Sequence, residues 1–323
     1  MPIRRFRGLL VLLALAAPLA AAAQDYPARP VTFVVPFPPG GSTTVVGRIV
    51  AEKMSETLGQ AIVVENRGGA GGTVGTRSVA RSAGDGYTLL LGYTGTLAIG
   101  PTMYPNAGFD PRKDFTPVGR IGLAPSVLVV HPSLPVHSVA GLIAYAKAHP
   151  GELNYGSAGI GTVGHLAGEL LASSAGIKIV HVPYRGTGPA LTDLLGGHIP
   201  MSFSPIPSVI GHVATGALRA LAVTSAERSR LLPDLPTVAE SGVPGYEAAL
   251  RYGLVAPAGT PPAIIARLNQ ELRTALASPE VRMKLANDGA EALPSTAEQY
   301  AADIDREERI WSKIVTALGL KGE

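Results

Sequence analysis

One stretch near the N-terminus limits the possible folds more than any other, because it prescribes a strand, a turn and a helix in succession. Residues 31–35 (VTFVV) form an apolar, β-branched run typical of a buried strand. Prolines and glycines at 38–41 end that run, and hydroxyl residues at 42–44 open a segment with apolar residues at helical spacing. Free N–H groups and the helix dipole favour an anion above such a turn. The simpler alternative is a plain β–α turn with a Ser or Thr N-cap.

The same construction recurs at residues 156–162 (GSAGIGT), before a second apolar helical pattern. Gly159, Gly161 and Gly164 also match the dinucleotide-binding fingerprint. A true fingerprint needs an acidic residue at the end of the next strand to hold the ribose. That strand, 179–183 (IVHVP), has none. We therefore expect a smaller anion at this turn and no nicotinamide cofactor.

Two further strand-like runs, 61–66 and 87–93, also lead into glycine-containing turns. Three successive βα units predict a mostly parallel sheet with helices on both faces. Ligands on such sheets lie at the carboxyl ends of the strands, where these turns are. After a loop-rich stretch at 101–117, we expect strands at 118–123 and 127–131.

The βα pattern repeats between residues 124 and 222. The simplest arrangement is an inserted domain, with 24–123 plus 223–323 forming lobe 1 and 124–222 forming lobe 2. Two Rossmann-like lobes joined by two crossing strands can close on a ligand. In the last part, we expect Thr260-Pro261-Pro262 to cap one helix, and Ser295 with Glu298 to form the capping box of the final helix.

The first 23 residues have the pattern of a cleaved signal peptide, with basic residues before a short apolar run and small residues at 21–23. We expect the mature chain to begin near Gln24 and to reside in the periplasm. Arg4, Arg5 and Arg7 account for the whole excess of 27 basic over 24 acidic residues. The net charge therefore gives no support to nucleic-acid binding.

Side chains for catalysis or metal binding show no recognisable pattern. The chain has no cysteine, and its seven histidines are scattered without metal-ligand spacing. No Walker motif occurs, and Ser157 lacks the glycine that a nucleophile elbow requires two positions earlier. We predict neither cofactor nor metal, and the pattern leaves open whether His165 lines a site or only packs.

Several motifs occur in a recognisable order: 34–41 (VVPFPPGG), 64–72 (VENRGGAGG), 155–161 (YGSAGIG), 181–189 (HVPYRGTGP), 218–225 (LRALAVTS) and 233–240 (PDLPTVAE). With these motifs the chain resembles the Bug-type periplasmic solute-binding receptors of tripartite tricarboxylate transporters. The resemblance covers essentially the whole mature chain. The motifs are specific for the family and not for one ligand.

The resemblance implies an α/β, two-lobed type II periplasmic-binding-protein fold that binds a small carboxylate between its lobes, partly through ordered waters. It also implies delivery of that ligand to membrane permease subunits. With the two glycine turns, the implied ligand-binding residues are Pro39, Gly40, Gly41, Ser42, Thr43, Thr44, Tyr93, Thr94, Thr96, Ser157, Ala158, Gly159, Gly161, Thr162, His165, Tyr184 and Ser204.

Two positions depart from the family pattern, since relatives commonly carry Asp where this chain has Thr44 and Ser204. We therefore hypothesise a plain organic mono- or dicarboxylate, aromatic acids included, as the ligand in place of an amino acid. We expect a monomer that does not bind nucleic acid. Two alternatives are a ligand-sensing receptor for a membrane kinase and a secreted hydrolase on the same scaffold.

Overall fold

The computed structural model describes residues 26–39, 42–184 and 186–321. The predicted signal peptide, the predicted start at Gln24, and Gly40 and Gly41 lie outside these residues. The strands are β1 (Val31–Val35), β2 (Ile62–Asn66), β3 (Thr88–Tyr93), β4 (Phe115–Val130), β5 (Asn154–Ser157), β6 (Val180–Pro183), β7 (Met201–Pro205), β8 (Arg219–Val223), β9 (Ala249–Pro257) and β10 (Glu291–Ala292). The helices are α1 (Ser42–Leu58), α2 (Thr73–Ala80), α3 (Gly100–Met103), α4 (Val139–Ala148), α5 (Val163–Ala175), α6 (Thr187–Leu195), α7 (Ile206–Ala214), α8 (Pro262–Ala277), α9 (Pro279–Asn287) and α10 (Ala297–Ala317), with a 3-10 turn at Ala70–Gly72 and a π-helical turn at Gly95–Ile99.

The N-terminal strands form the predicted parallel sheet. β1 lies between β2 and β3 and is parallel to both, which brings the turns after these strands to one edge. Phe33 and Val35 on one face of β1 and Val34 on the other are all buried. Burial on both faces is what a parallel sheet covered by helices requires. β9 then pairs antiparallel with β3, and β4 with β9, so the sheet is mixed.

The expected strands at 118–123 and 127–131 are a single strand, β4, and the expected break between them is wrong. Its first part pairs with β9 as far as Pro125, and its last part pairs with β7 and β8 from Ser126 onward. Proline usually marks the end of a strand because it cannot donate a ladder hydrogen bond. Here Pro125 stands where the strand changes partners, so the backbone stays extended through it.

The second group of strands repeats the βα arrangement, with β5 between β6 and β7 and parallel to both. Its core includes Leu128, Tyr155 and Phe203. The Tyr155 ring lies directly on α5 at Gly168, where an added Cβ would stand 2.2 Å from ring atom Cε2. The absence of a side chain at Gly168 therefore sets how closely α5 approaches this sheet.

The C-terminal helix α10 packs against both groups of strands. Ile304 lies in a cluster with Val34 and Leu90, whereas Trp311 and Val315 lie in the cluster of Leu128. The proposed division into lobes at 123/124 and 222/223 stays a prediction.

The predicted capping box of α10 is wrong, whereas the predicted start of α8 within Thr260-Pro261-Pro262 is confirmed, with Pro262 as its first helical residue. The capping box of α10 is formed by Thr296 and Gln299. Ser295 instead accepts a hydrogen bond from the Arg120 backbone at 2.9 Å, which moves the start of the helix one residue on. The hydroxyl of Thr260 donates to the Pro257 carbonyl and caps nothing; Pro261 is the N-cap of α8.

Across the described ranges, none of the helices combines the length and the apolar character needed to cross a membrane.

Candidate functional site

The first turn lies between β1 and α1, and β2 holds it in place. Asn66, the last residue of β2, donates from its side-chain amide to the Phe37 carbonyl at 2.9 Å and to the Thr44 hydroxyl at 2.8 Å. Thr44 is buried, Thr43 is half-buried and Pro39 is exposed. The helix begins at Ser42 as predicted. The Thr44 hydroxyl therefore fixes the turn to β2 and is not open to solvent.

The glycine-rich segment 67–72 packs on this first turn. A Cβ on Gly68 would stand 2.6 Å from Pro38 Cδ, and one on Gly72 would stand 2.9 Å from Thr96 Cγ2. Gly72 also has a φ of 94°, which favours glycine. Residues 67–72 are not among the ligand-binding residues predicted from the sequence. The glycine run after β2 could have indicated that this segment belongs to the site. Since β2 and β1 are parallel neighbours, the turns that follow them lie at the same edge of the sheet.

The turn after β3 supplies three candidate residues, and their polar groups are already bonded. Tyr93 donates its hydroxyl to the Gly71 carbonyl at 2.8 Å. Thr96 is buried, with its hydroxyl 3.4 Å from the Tyr93 carbonyl. The Thr94 hydroxyl donates to Glu307 Oε2 at 3.0 Å and accepts from the Arg251 backbone at 2.9 Å. At this turn, a ligand can therefore contact the backbone more readily than these hydroxyls, which are already hydrogen-bonded.

The turn between β5 and α5 is a tightly bonded loop. Ser157 Oγ accepts from the Gly159 backbone N–H at 3.1 Å. The Thr162 hydroxyl donates to the Gly159 carbonyl at 2.7 Å, and Thr162 is the N-cap of α5. Gly159 and Gly161 have φ values of 136° and 76°, respectively. Side chains rarely adopt such angles, so the glycines are what allow the loop to fold this way.

Two stacked histidines lie beneath this loop. The rings of His165 and His181 are 3.9 Å apart, centroid to centroid. Burial lowers the pKa of His165 to about 4, with a further contribution from His181, and burial alone lowers the pKa of His181 to about 4. His165 Nδ1 accepts from the Gly161 N–H at 3.1 Å, so the ring's proton is on Nε2. His165 therefore packs and supports the loop from below.

Ser157 also lies 2.7 Å from His181 Nε2, Oγ to nitrogen, a contact that the sequence did not indicate. The serine is 2% exposed, and it is already bonded to both backbone groups of Gly159. His181 stacks on a second imidazole, whereas a catalytic base is oriented by a third polar group. The contact between Ser157 and His181 is therefore a buried hydrogen bond that supports the loop.

Tyr184 and Ser204 border the same loop. The Tyr184 backbone N–H donates to the Ser157 carbonyl at 3.0 Å, and its hydroxyl donates to Asp193 Oδ2 at 2.7 Å. Burial and the bond to Asp193 raise the pKa of Tyr184 to about 12. Ser204 is buried, with its hydroxyl 2.9 Å from that of Ser202. Ser202 donates its proton to the Gly156 carbonyl, so Ser204 is the donor of this pair.

Helix α3 brings the two sets of turns together. A Cβ on Gly161 would lie 2.6 Å from Met103 Sδ, and a Cβ on Gly71 would lie 2.9 Å from the Tyr104 hydroxyl oxygen. The glycine turn after β2 and the loop before α5 therefore both lie against the end of this short helix, at Met103 and Tyr104. Met103 and Tyr104 were not predicted as site residues, because residues 101–117 contain many turn-forming residues.

A groove elsewhere on the surface contains none of the candidate residues. This groove, of about 1030 Å³, lies between α8 and the start of α10, lined in part by Asn269, Arg273 and Glu298. In the described part of the chain, no three His, Asp or Glu side chains are placed to hold a metal ion.

Comparisons with known proteins agree on one family. Residues 46–320 match the TctC family, described as the tripartite tricarboxylate transporter family receptor. BugT of Bordetella pertussis is 42% identical over 308 residues, covering 95% of this chain and 94% of that one.

Two solved structures extend the likeness to the fold. Rpa4515 of R. palustris, solved with adipate, is 40% identical with a TM-score of 0.80, covering 92% of this chain and 99% of that one. MatC of Rhodopseudomonas palustris, with bound malate, is 35% identical with a TM-score of 0.76, covering 90% of this chain and 100% of that one. These matches confirm the predicted two-lobed fold of periplasmic binding proteins. The chain belongs to the tripartite tricarboxylate transporter receptor family, whose members are solute-binding receptors.

Proposed function

We propose that this protein is a periplasmic receptor that captures a small organic carboxylate between its lobes and delivers it to a tripartite tricarboxylate-type permease. The observation that carries the proposal is that the loop before α5 contacts Met103, while the glycine turn before α2, which packs on the turn before α1, contacts the adjacent Tyr104. A ligand that contacts both turns selects the closed form, because only that form offers both sets of contacts.

The anion contacts would come mainly from the backbone. In the loop before α5, the N–H groups of Gly159, Gly161 and Thr162 already donate within the loop. Within the described residues, those of Ala158 and Ile160 have no recorded acceptor and would be free for a carboxylate. The N-terminus of α1 adds free N–H groups and the positive end of the helix dipole.

The remaining candidate residues divide into two roles under this proposal. Gly40, Gly41, Ser42, Thr43 and the backbone of 158–161 would contact the ligand. Thr44, Thr94, Tyr184 and His165 would hold the turns in place, because their polar groups are bonded to neighbouring residues. Ser204 would not hold the carboxylate itself, because its proton is donated to Ser202 and its hydroxyl oxygen can only accept a hydrogen bond, from a ligand hydroxyl or a water.

The ligand class follows from charge. Thr44 and Ser204 are neutral where relatives commonly carry Asp, so these positions offer no carboxylate to a ligand ammonium group. The ligands in the two related structures, adipate and malate, are also acids without an ammonium. We therefore propose a mono- or dicarboxylic acid in preference to an amino acid.

Titration calorimetry of the mature protein tests this proposal, with adipate, malate and benzoate as ligands and glutamate as the amino-acid comparison. We expect at least one plain acid to bind more tightly than glutamate. Tightest binding by glutamate would overturn the ligand class, and binding of none of these acids would count against a carboxylate receptor. Recovering the ligand unchanged after prolonged incubation separates a receptor from a hydrolase.

Localisation and assembly are tested separately. Cell fractionation should find the processed protein in the periplasm, and size-exclusion chromatography should find a monomer. Retention of the first 23 residues, which mass spectrometry of the purified protein would show, contradicts the predicted cleavage.

A further inference from the structure

Several segments pass between the two lobes at one place. β4 changes partners between Pro125 and Ser126, and β9 begins opposite that point at Ala249. The segment after β3 leaves the first sheet here, because Ile99 packs in the cluster of Leu128. Helix α10 also passes from one core to the other: Ile304 lies in the first core, and Trp311, two turns later, lies in the second.

A buried network of charges lies at this crossing. The Arg251 guanidinium contacts Glu307 through Nη1 and Glu247 through Nη2. The second oxygen of Glu307 accepts from the Thr94 hydroxyl at 3.0 Å, and that hydroxyl accepts from the Arg251 backbone N–H at 2.9 Å. The network thus ties the end of β3, the start of β9 and the middle of α10 to one another.

Burial makes these contacts obligatory. The Glu307 side chain is 7% exposed and that of Arg251 is 11% exposed. Burial raises the pKa of Glu307, while Arg251 acts in the opposite direction. A buried ion pair adds little net stability, because desolvation offsets the attraction, but loss of one partner leaves an uncompensated charge. Such a pair is better suited to fixing the relative positions of segments than to stabilising them.

We propose that Arg251 and Glu307 are positioning residues for ligand binding, which hold the turn at Tyr93–Thr96 against the hinge without touching the ligand. This inference rests on the proposed function, because it assumes that this turn borders the ligand. The bond from Thr94 to Glu307 makes the position of the turn depend on α10, and α10 packs on both lobes. A change in the network therefore alters the geometry of the cleft and the ease of closure together.

The test compares Glu307→Gln with Asp303→Asn in the mature protein. Asp303 lies one turn earlier on α10, is equally buried, and pairs with Arg120 at 2.5 Å, but it has no contact with Thr94. We expect Glu307→Gln to weaken adipate binding about tenfold, within the range of known coupling energies. We also expect faster amide hydrogen exchange in residues 93–104 and 249–252. Asp303→Asn should lower the melting temperature and leave both readouts unchanged.

Equal effects of the two variants on adipate binding and exchange would overturn the proposal, as would no effect of Glu307→Gln. If Glu307→Gln fails to fold, Thr94→Val retains both charges and removes only the linking hydroxyl. It should then weaken binding and speed exchange in 93–104, and normal behaviour would overturn the proposal. If the unmodified protein does not bind adipate, malate or benzoate replaces it in this comparison, and only binding of none of the three would count against the proposed function. The exchange comparison still shows whether the network holds the turn.

Discussion

At the scale of single residues, the candidate site depends on glycines whose backbone angles other residues avoid. Gly159 has a φ of 136°, and a Cβ there would stand 3.2 Å from the Tyr184 carbonyl oxygen. The sequence indicated that these glycines allow an anion to approach. The structure adds a second reason, since the loop itself cannot form with the same bonds around a larger residue.

We expect Gly159→Ala to weaken adipate binding tenfold or more, because the strained loop would misplace the N–H groups of its neighbours. Loss of one charge-assisted hydrogen bond costs about 1.5–3 kcal/mol. Gly242→Ala is the matched control, since Gly242 has a φ of 106° with no atom within 4 Å of its added Cβ. Calorimetry and thermal unfolding should show a similar loss of stability in both variants, but weaker binding only in Gly159→Ala. Equal affinities would contradict the role of the loop.

The paired histidines predict a fall in stability on acidification. In the folded protein, burial lowers the pKa of His165 and of His181 to about 4, from an ordinary value of 6.5. As pH falls, the unfolded chain therefore takes up protons first. The stability that comes from the neutral pair is complete above pH 6.5 and is lost as the pH falls through about 4.

We expect His165→Asn to reduce this pH dependence. Its amide oxygen can still accept from the Gly161 N–H, but it does not titrate in this range. The melting temperature should differ less between pH 7 and pH 4.5 in this variant than in His198→Asn, which changes an exposed histidine. If the melting temperature of His165→Asn falls with pH as steeply as that of the parent protein, other groups dominate acid unfolding.

At the scale of elements, the sequence predicted most strands and helices but not how they connect. The strands β1, β2 and β3 could be predicted from their apolar runs, because local periodicity determines them. The strands expected at 118–123 and 127–131 are instead one strand, Phe115–Val130. Whether a strand continues past Pro125 depends on which partners it pairs with, and that is a long-range property.

The same limit applies to the site. The glycine turns could be predicted, because positive φ angles favour glycine and so are visible in the sequence. That Thr94 faces Glu307, 213 residues later, could not be predicted, because this contact depends on the packing of distant elements. Candidate hydroxyls that seemed to face a ligand are therefore partly committed to the protein itself.

The corrected start of α10 gives a prediction for this helix. Thr296→Ala removes the hydroxyl that accepts from the Gln299 N–H, and it should lower the free energy of unfolding by about 1 kcal/mol. Glu298→Ala, which removes the residue expected from the sequence, should have a clearly smaller effect, because this carboxylate is fully exposed. Urea unfolding measures both. The reverse order would favour the capping box expected from the sequence.

At the scale of the whole molecule, the two lobes share more than a pair of connecting strands. β4 belongs to both groups of strands, and α10 packs on both cores. Closure therefore requires that α10 bend, shift or move with one lobe. The single tryptophan of the chain, Trp311, lies on this helix and is 2% exposed.

We expect saturating adipate to change the fluorescence of Trp311, because closure alters the contacts of α10 in the second core. The melting temperature should also rise, since ligand at 100 times its dissociation constant stabilises the folded state by about 2.7 kcal/mol. Glutamate at the same concentration is the comparison and should cause a smaller change in both. A shift in melting temperature with constant fluorescence would indicate that α10 does not take part in closure.

The position of Trp311 has a consequence for how the chain is made. Trp311 and Val315 complete a core whose other members lie between residues 98 and 248, and they belong to the last described helix. While the polypeptide emerges from its N-terminus, that core keeps an uncovered apolar face until almost every residue is available. The second lobe is therefore expected to reach its final stability only when synthesis of the chain has passed Val315. Truncation before residue 311 should leave a chain that exposes this face and aggregates, although both sheets are encoded in full.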